Sequence, residues 1–217
     1  MKASVFGLLA CLGAPGAAVA CDTALMLTID VSNSVDVAEY RLQAEGLADA
    51  LTDPDIIDAL VRGQAALSVV QWSGVDRQSV TVPWTRIRTA LDVARLSDAA
   101  RLMPRAYTLS GTAPAEAILF SLSNFAPVMD CTRRIIDISG DGTPNTGGDV
   151  SAARRQAERD GITINAIAIE SLGQAITNFY ARQVVTRDGF VMTARMHRDY
   201  PRAIRAKILR ELTRVIS

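Results

Sequence analysis

Apolar and polar residues alternate along this chain in two different periods, and the switching between them predicts the architecture. Residues 24–30 form a continuous apolar run, "ALMLTID", of the kind that makes a strand buried on both faces. Residues 37–51 then place Tyr40, Leu42, Leu47, Ala48 and Leu51 at helical spacing, with Ser34 and Asp36 available as caps. Residues 65–72 predict a second strand and 78–82 a third, separated by the turn sequence "SGVD" and closed by Pro83. So short a connection makes a hairpin, hence an antiparallel edge strand. Helical periods return at 86–103, 113–125, 149–160 and 179–185, and strands at 133–139, 162–169 and 190–193. A terminal helix spans 200–216, with Ile204, Ile208, Leu212 and Val215 on one face. Its other positions, Arg202, Arg205, Lys207, Arg210 and Arg214, predict a solvated basic face.

Strands alternating with helices of about a dozen residues argue for βαβ units. The predicted fold class is therefore α/β and doubly wound. A mostly parallel central sheet carries one antiparallel edge strand, with helices on both faces. No internal repeat or linker divides the chain.

The first twenty residues change the picture at one end only. "MKASVFGLLACLGAPGAAVA" has a lone positive charge at Lys2, an apolar centre and an A-x-A ending, which predicts a secretory signal peptide over 1–20 and one domain over 21–217. The apolar centre is too short for a permanent membrane span, so the expected destination is periplasmic or extracellular. Cys21 would become the first mature residue. Its position fits a lipid anchor, but Ala18-Val19-Ala20 lack the large aliphatic residue that usually precedes a lipidated cysteine. Lysine plus arginine and aspartate plus glutamate both number 23, so no global field recruits nucleic acid or an anionic membrane. A partner must be recognised by a local site.

One such site is suggested where the first strand ends. Asp30, Ser32 and Ser34 alternate out of one loop at the carboxyl end of a strand, where open α/β sheets gather their ligands. Carboxylate and hydroxyl oxygens suit a hard cation, Mg²⁺ or Mn²⁺, better than zinc. The same residues could instead simply cap the following helix. A second apolar strand, in "IDISGDGTPN", ends in Asp137, Ser139 and Asp141, and Thr112 opens a helix after Gly111.

These three motifs, in this order, resemble a von Willebrand factor A (vWA) domain with a metal-ion-dependent adhesion site (MIDAS). The segments "IDVSNSVD", "EY", "QW", "VPWTRI" and "RRIIDISGDG" more narrowly resemble a bacterial secreted branch of that superfamily, the DUF1194 group of unknown function. The resemblance implies a Rossmann-like vWA fold. It implies a metal held by the oxygens of Ser32 and Ser34, by Asp30 directly or through water, by Thr112, and by Asp141 through water. It also implies a protein partner whose Asp or Glu carboxylate completes the metal's shell. "SGDG" stands where many A domains have "TDG", which places Gly140 at an unusual position. In the A-domain strand order 3-2-1-4-5-6 the first and fourth strands are parallel neighbours. Cys21 and Cys131 precede those two strands, which predicts a disulfide at the sheet edge opposite the metal.

Enzymatic readings have less to stand on. No G-x-S-x-G, H-E-x-x-H or phosphate-binding glycine loop occurs. His197, the sole histidine, lies in a polar stretch that predicts a surface position. A metal-dependent phosphatase with Asp30 as nucleophile generally wants a carboxylate two residues on, where Ser32 stands. The expected function is a secreted, metal-dependent, adhesion-type binding module. The alternatives are a metal-dependent hydrolase and a periplasmic domain whose metal only stabilises its loops.

Overall fold

The computed structural model describes residues 21–213; the signal segment predicted for 1–20 lies outside them. Six strands form one sheet in the order β3-β2-β1-β4-β5-β6. They are β1 (Thr23–Asp30), β2 (Ala66–Trp72), β3 (Gln78–Arg86), β4 (Arg133–Gly140), β5 (Thr163–Glu170) and β6 (Val191–Arg195). All neighbours are parallel except β2 and β3. β1 and β2 are buried along their whole length, as continuous apolar runs require.

The helices divide between the two faces. On one lie α1 (Val37–Ala50), α2 (Pro54–Arg62), α3 (Ala90–Leu102) and α7 (Tyr200–Thr213), packing over Leu25, Leu27 and Ile29 of β1. On the other lie α4 (Pro114–Ser123), α5 (Val150–Arg159) and the segment containing α6 (Ala175–Phe179), packing over Ala24 and Met26. Successive β1 side chains feed opposite cores, the expected pleat. No helix among the described residues is long and apolar enough to cross a membrane.

The structure corrects several sequence readings. β3 does not stop at Pro83 but continues to Arg86; Pro83 is exposed on the edge strand, where the register with β2 shifts between Val82 and Thr85. The next helix accordingly starts at Ala90, with Thr89 and Asp92 forming a capping box, rather than at 86. Helix α2 was absent from the periodicity reading. Its nine residues are fixed locally by Asp53, which caps the amides of Asp55 and Ile56, by Pro54 in the first turn, and by an ion pair from Asp53 to Arg205 on α7. After α6 the chain widens into a turn closed by the Val185 amide on the Tyr180 carbonyl (3.1 Å), which seats Tyr180 inside the second core.

The largest correction concerns α7. Lys207, assigned above to a solvated basic face, is 0% exposed. Its ammonium lies 2.7 Å from Asp137 Oδ1 and 2.6 Å from Glu211 Oε1, and Glu211 Oε1 also accepts from the Asn165 amide at 2.7 Å. Helical periodicity shows only that Lys207 is off the Ile204–Ile208 stripe; it cannot show that Asp137 waits in the middle of β4. Two carboxylates share one ammonium here, and burial pushes both carboxyls upward against the pull of Lys207, Glu211 to about 7. A carboxyl that binds its proton more tightly when folded contributes fully below its unfolded value of 4.5 and loses that contribution as pH rises to about 7. Glu211→Gln should therefore flatten the fall in stability across that window relative to wild type, as measured by urea unfolding at a series of pH values.

At the amino edge of the sheet, Cys21 and Cys131 form a disulfide, with Cα atoms 4.5 Å apart. Beside it the Thr132 and Arg133 amides donate to the carbonyls of Cys21 and Asp22, and Arg133 pairs with Asp22 at 2.9 Å. The bond closes a loop of 110 residues in sequence separation, so replacing both cysteines with serine should cost about 3 to 5 kcal/mol in chemical denaturation.

Candidate metal centre

β1 and β4 are adjacent, and their following chains leave toward opposite faces, so the crevice at their carboxyl ends is the place where a doubly wound sheet opens. Asp30 is the last residue of β1 and is fully buried. Its Oδ1 accepts from the Ser32 amide at 2.7 Å, which curls the chain so that Ser32 and Ser34 follow on one side. Their hydroxyl oxygens are 3.1 Å apart. Ser34 donates onward to Asp141 Oδ1 at 2.6 Å, tying the loop after β1 to the loop after β4.

Thr112 enters from a third segment. Its amide donates to Asn145 Oδ1 (2.8 Å), the Asn145 amide returns to the Thr112 carbonyl (3.1 Å), and the Asn33 amide reaches the Ser110 carbonyl (3.0 Å). The three loops are thus stitched in sequence: first to second through Asn33, second to third through Asn145. The side chain of Thr112 faces Gly142, next to Asp141. Asp30, Ser32, Ser34, Thr112 and Asp141 therefore converge from three loops. Asp137 and Ser139 do not join them; both are buried within β4, and Asp137 is committed to Lys207.

The electrostatics of this cup are unbalanced. Burial first, and the nearby charge of Asp141 second, push the Asp30 carboxyl up to about 7, although hydrogen bonds from Ser32 and the Asp141 amide pull the other way. Asp30 Oδ2 is buried with no hydrogen-bond partner, and no lysine or arginine among the described residues pairs with either aspartate. An orphaned carboxylate oxygen facing a second carboxylate, beside three hydroxyls, is a donor set that fits a hard divalent cation. Ser34 is exposed, so the cup opens to solvent on its side.

Several supporting residues were not legible in the sequence. Arg105 donates to the carbonyls of both Val31 and Ser32 (2.9 Å each) and holds the first loop. Gln43 on α1 donates to the Asp30 carbonyl. His197 is 7% exposed, not a surface residue; its Nδ1 lies 3.0 Å from Glu39 Oε1 and its Nε2 3.9 Å from Asp141 Oδ2. The only sequence signal for it was being the sole histidine, and a polar stretch conceals a residue that folds back under β6.

Gly140 explains the departure from the usual third-loop motif. A Cβ there would overlap the Tyr180 hydroxyl, stand 3.0 Å from Asp30 Oδ2 and 3.3 Å from the Trp72 ring. Tyr180 is itself fully buried, and its hydroxyl has no hydrogen-bond partner among the described residues. The glycine thus makes room for a tyrosine beside Asp30.

Residues 20–216 match the family described as a protein of unknown function, DUF1194. The chain belongs to the DUF1194 family. Its fold is that of vWA domains: proximal thread matrix protein 1 from the mussel byssus aligns with a TM-score of 0.66 at 17% identity, covering 87% of this chain and 47% of that one. A von Willebrand factor type A protein from Catenulispora acidiphila gives 0.65 at 16% identity, covering 88% and 43%. The pilus adhesin SpaC from Lactobacillus rhamnosus GG gives 0.64 at 12% identity, covering 88% and 31%. This DUF1194 chain thus spans about half the length of the mussel protein or less of such neighbours. The mussel protein is also known in a form with a zinc-occupied MIDAS motif. No curated protein matches the DUF1194 chain by sequence.

Gly140→Ala should destabilise the domain by about 1 to 3 kcal/mol through overpacking, and Tyr180→Phe in the same chain should recover part of that loss by removing the colliding oxygen. Tyr180→Phe alone should be neutral or stabilising, because it removes a buried hydroxyl without a partner. Urea unfolding of the three variants measures all of this.

Proposed function

We propose that this DUF1194 protein is an exported, metal-dependent adhesion-type module that captures a protein partner through an acidic side chain. The observation that carries the reading is the buried Oδ2 of Asp30, without a hydrogen-bond partner, in a carboxyl that also feels the charge of Asp141. Asp30, Ser32, Ser34, Thr112 and Asp141 would hold the cation, Mg²⁺ or Mn²⁺ by the hardness of the donors. When bound, it supplies a Lewis-acidic centre that attracts one further anionic oxygen. Ser34 and Asp141, at the open side, set where a partner carboxylate approaches, while Arg105 and Gln43 keep the first loop in place.

Neighbours of the same fold that are adhesins, and one whose MIDAS motif holds zinc, support a binding role. The Cys21–Cys131 disulfide fits an oxidising compartment and engages the sulfur that a lipid anchor would need. The hydrolytic alternative lacks the second carboxylate that it wants at position 32.

Metal binding and the buried charge make opposite demands on Asp30, which gives a two-sided test. Asp30→Asn should raise the melting temperature in chelator, by removing an uncompensated buried carboxylate, and abolish the increase that millimolar Mg²⁺ produces in wild type. Differential scanning calorimetry reads both. A wild-type protein indifferent to both Mg²⁺ and Mn²⁺ would refute the metal reading. Phosphatase activity that Asp30→Asn abolishes would favour the hydrolase instead.

A further inference from the structure

The surface around the cup carries more than the metal loops need. Five of the nine exposed large apolar side chains among the described residues, Val37, Val75, Leu109, Leu172 and Met196, stand at the carboxyl edge of the sheet or on the loops that leave it. Leu109 and Leu172 are each 89% exposed. Leu109 adjoins Ser110, whose carbonyl holds Asn33 of the first metal loop, and Met196 adjoins His197, which faces Asp141. Leu109 and Met196 also have positive φ, +52° and +62°. A leucine or methionine in that region costs about 1 kcal/mol or more, which glycine would avoid. Strain of this kind collects at functional sites because something other than stability keeps the residue there.

Next to Met196 lies a cleft of about 490 Å³ lined by Thr193, Arg195, Arg198, Asp199 and Arg202. Arg202 is already engaged: it donates to both Asp199 oxygens (2.6 and 2.7 Å) and to the Thr193 carbonyl. Arg195 uses only its backbone amide on Asp199, and no carboxylate among the described residues forms an ion pair with the guanidinium of Arg195 or Arg198. The cleft therefore presents two guanidinium groups without an ion pair, from the residues two before and one after His197, whose Nε2 lies 3.9 Å from Asp141 Oδ2.

We infer that the partner segment of this site carries a second acidic group for Arg195 and Arg198, and apolar contacts for Leu109 and Met196. The inference rests on the proposed metal-bridged capture and specifies what is captured: a protein segment with two acids flanking an apolar residue. Charge complementarity selects that class over a basic or uncharged one. The apolar rim excludes water from the metal-bridged carboxylate, and the arginines orient the segment across the cup.

Random linear peptides displayed on phage and selected on the Mg²⁺-loaded protein test this directly. Wild type should enrich peptides that have two acids and an apolar residue and that are released by chelator. Synthetic peptides of the enriched sequence should bind Arg195→Glu/Arg198→Glu about tenfold more weakly, while its Mg²⁺-induced melting shift stays unchanged. Leu109→Gly and Met196→Gly should also weaken binding and yet raise the melting temperature by relieving strain, which separates lost contact from lost folding. Equal affinity of wild type and the double variant would overturn the second acid and leave metal capture standing. Unchanged affinity in both glycine variants would overturn the apolar contact. Enriched peptides that ignore chelator, or a selection that enriches none, would sink the metal reading and this inference with it.

Discussion

A carboxylate buried at the end of the central strand, with one oxygen satisfied and the other left over, is the constraint around which this DUF1194 domain is arranged. Asp30 cannot move outward: Gln43 holds its carbonyl from α1, the amide of Val31 is fixed to Trp72 on β2, and Arg105 grips the two carbonyls that follow. The Tyr180 hydroxyl beside Gly140 is itself unpartnered among the described residues, and it is admitted only because position 140 has no side chain. A buried charge without a partner is costly, and this fold holds it in place from several sides.

The same sheet shows that the fold is able to neutralise a buried carboxylate. Asp137 sits on β4, six residues beyond Cys131, and it is met by Lys207, which it shares with Glu211, itself bonded to Asn165. Nothing in vWA-like topology prevents a lysine from reaching the interior. Among the described residues Asp137 has a lysine counter-charge while Asp30 and Asp141 have neither lysine nor arginine, and this contrast supports the cation site proposed for the second pair. The two carboxylate groups thus play opposite parts: one fastens α7 to the sheet, the other keeps a site open at its edge.

How much of this could be seen in the sequence follows from the range of the interactions involved. Buried parallel strands announce themselves as apolar runs, and the D-x-S-x-S loop is local in sequence, so β1, β4 and the five candidate ligands were legible from their motifs. What escaped depends on contacts across the fold. Helix α2 owes its existence to a cap and to Arg205, distant by 152 residues. Lys207 and Glu211 look like surface charges until β4 supplies Asp137. His197 looks like a loop residue until the chain after β6 turns beneath Asp141 and meets Glu39 on α1. Pro83 looks like a stop, and becomes a tolerated position only because β3 is an edge strand with a shifted register. For Lys207, Glu211 and His197 the partner that decided the residue's role was far away along the chain, while α2 and the second half of β3 left no periodic signal to read.

The two ends of β1 explain why the site can be rigid without being stable on its own. At the amino edge, the Cys21–Cys131 bond and the Arg133–Asp22 pair fix β1 against β4. With the strands locked in register from Thr23–Arg133 to Ile29–Ser139, the loops that leave their far ends start from fixed points. Short links, Ser34 to Asp141 and Asn33 to Ser110, then suffice to hold three loops together. On the proposed reading, a site assembled this way would carry much of its ordering entropy in folding and less in binding a cation. The repulsion between Asp30 and Asp141 is likewise built in beforehand, and its relief would add to the attraction for the proposed ion. Preorganised geometry and preorganised charge are the two contributions this DUF1194 scaffold makes, and both trace to where β1 and β4 end.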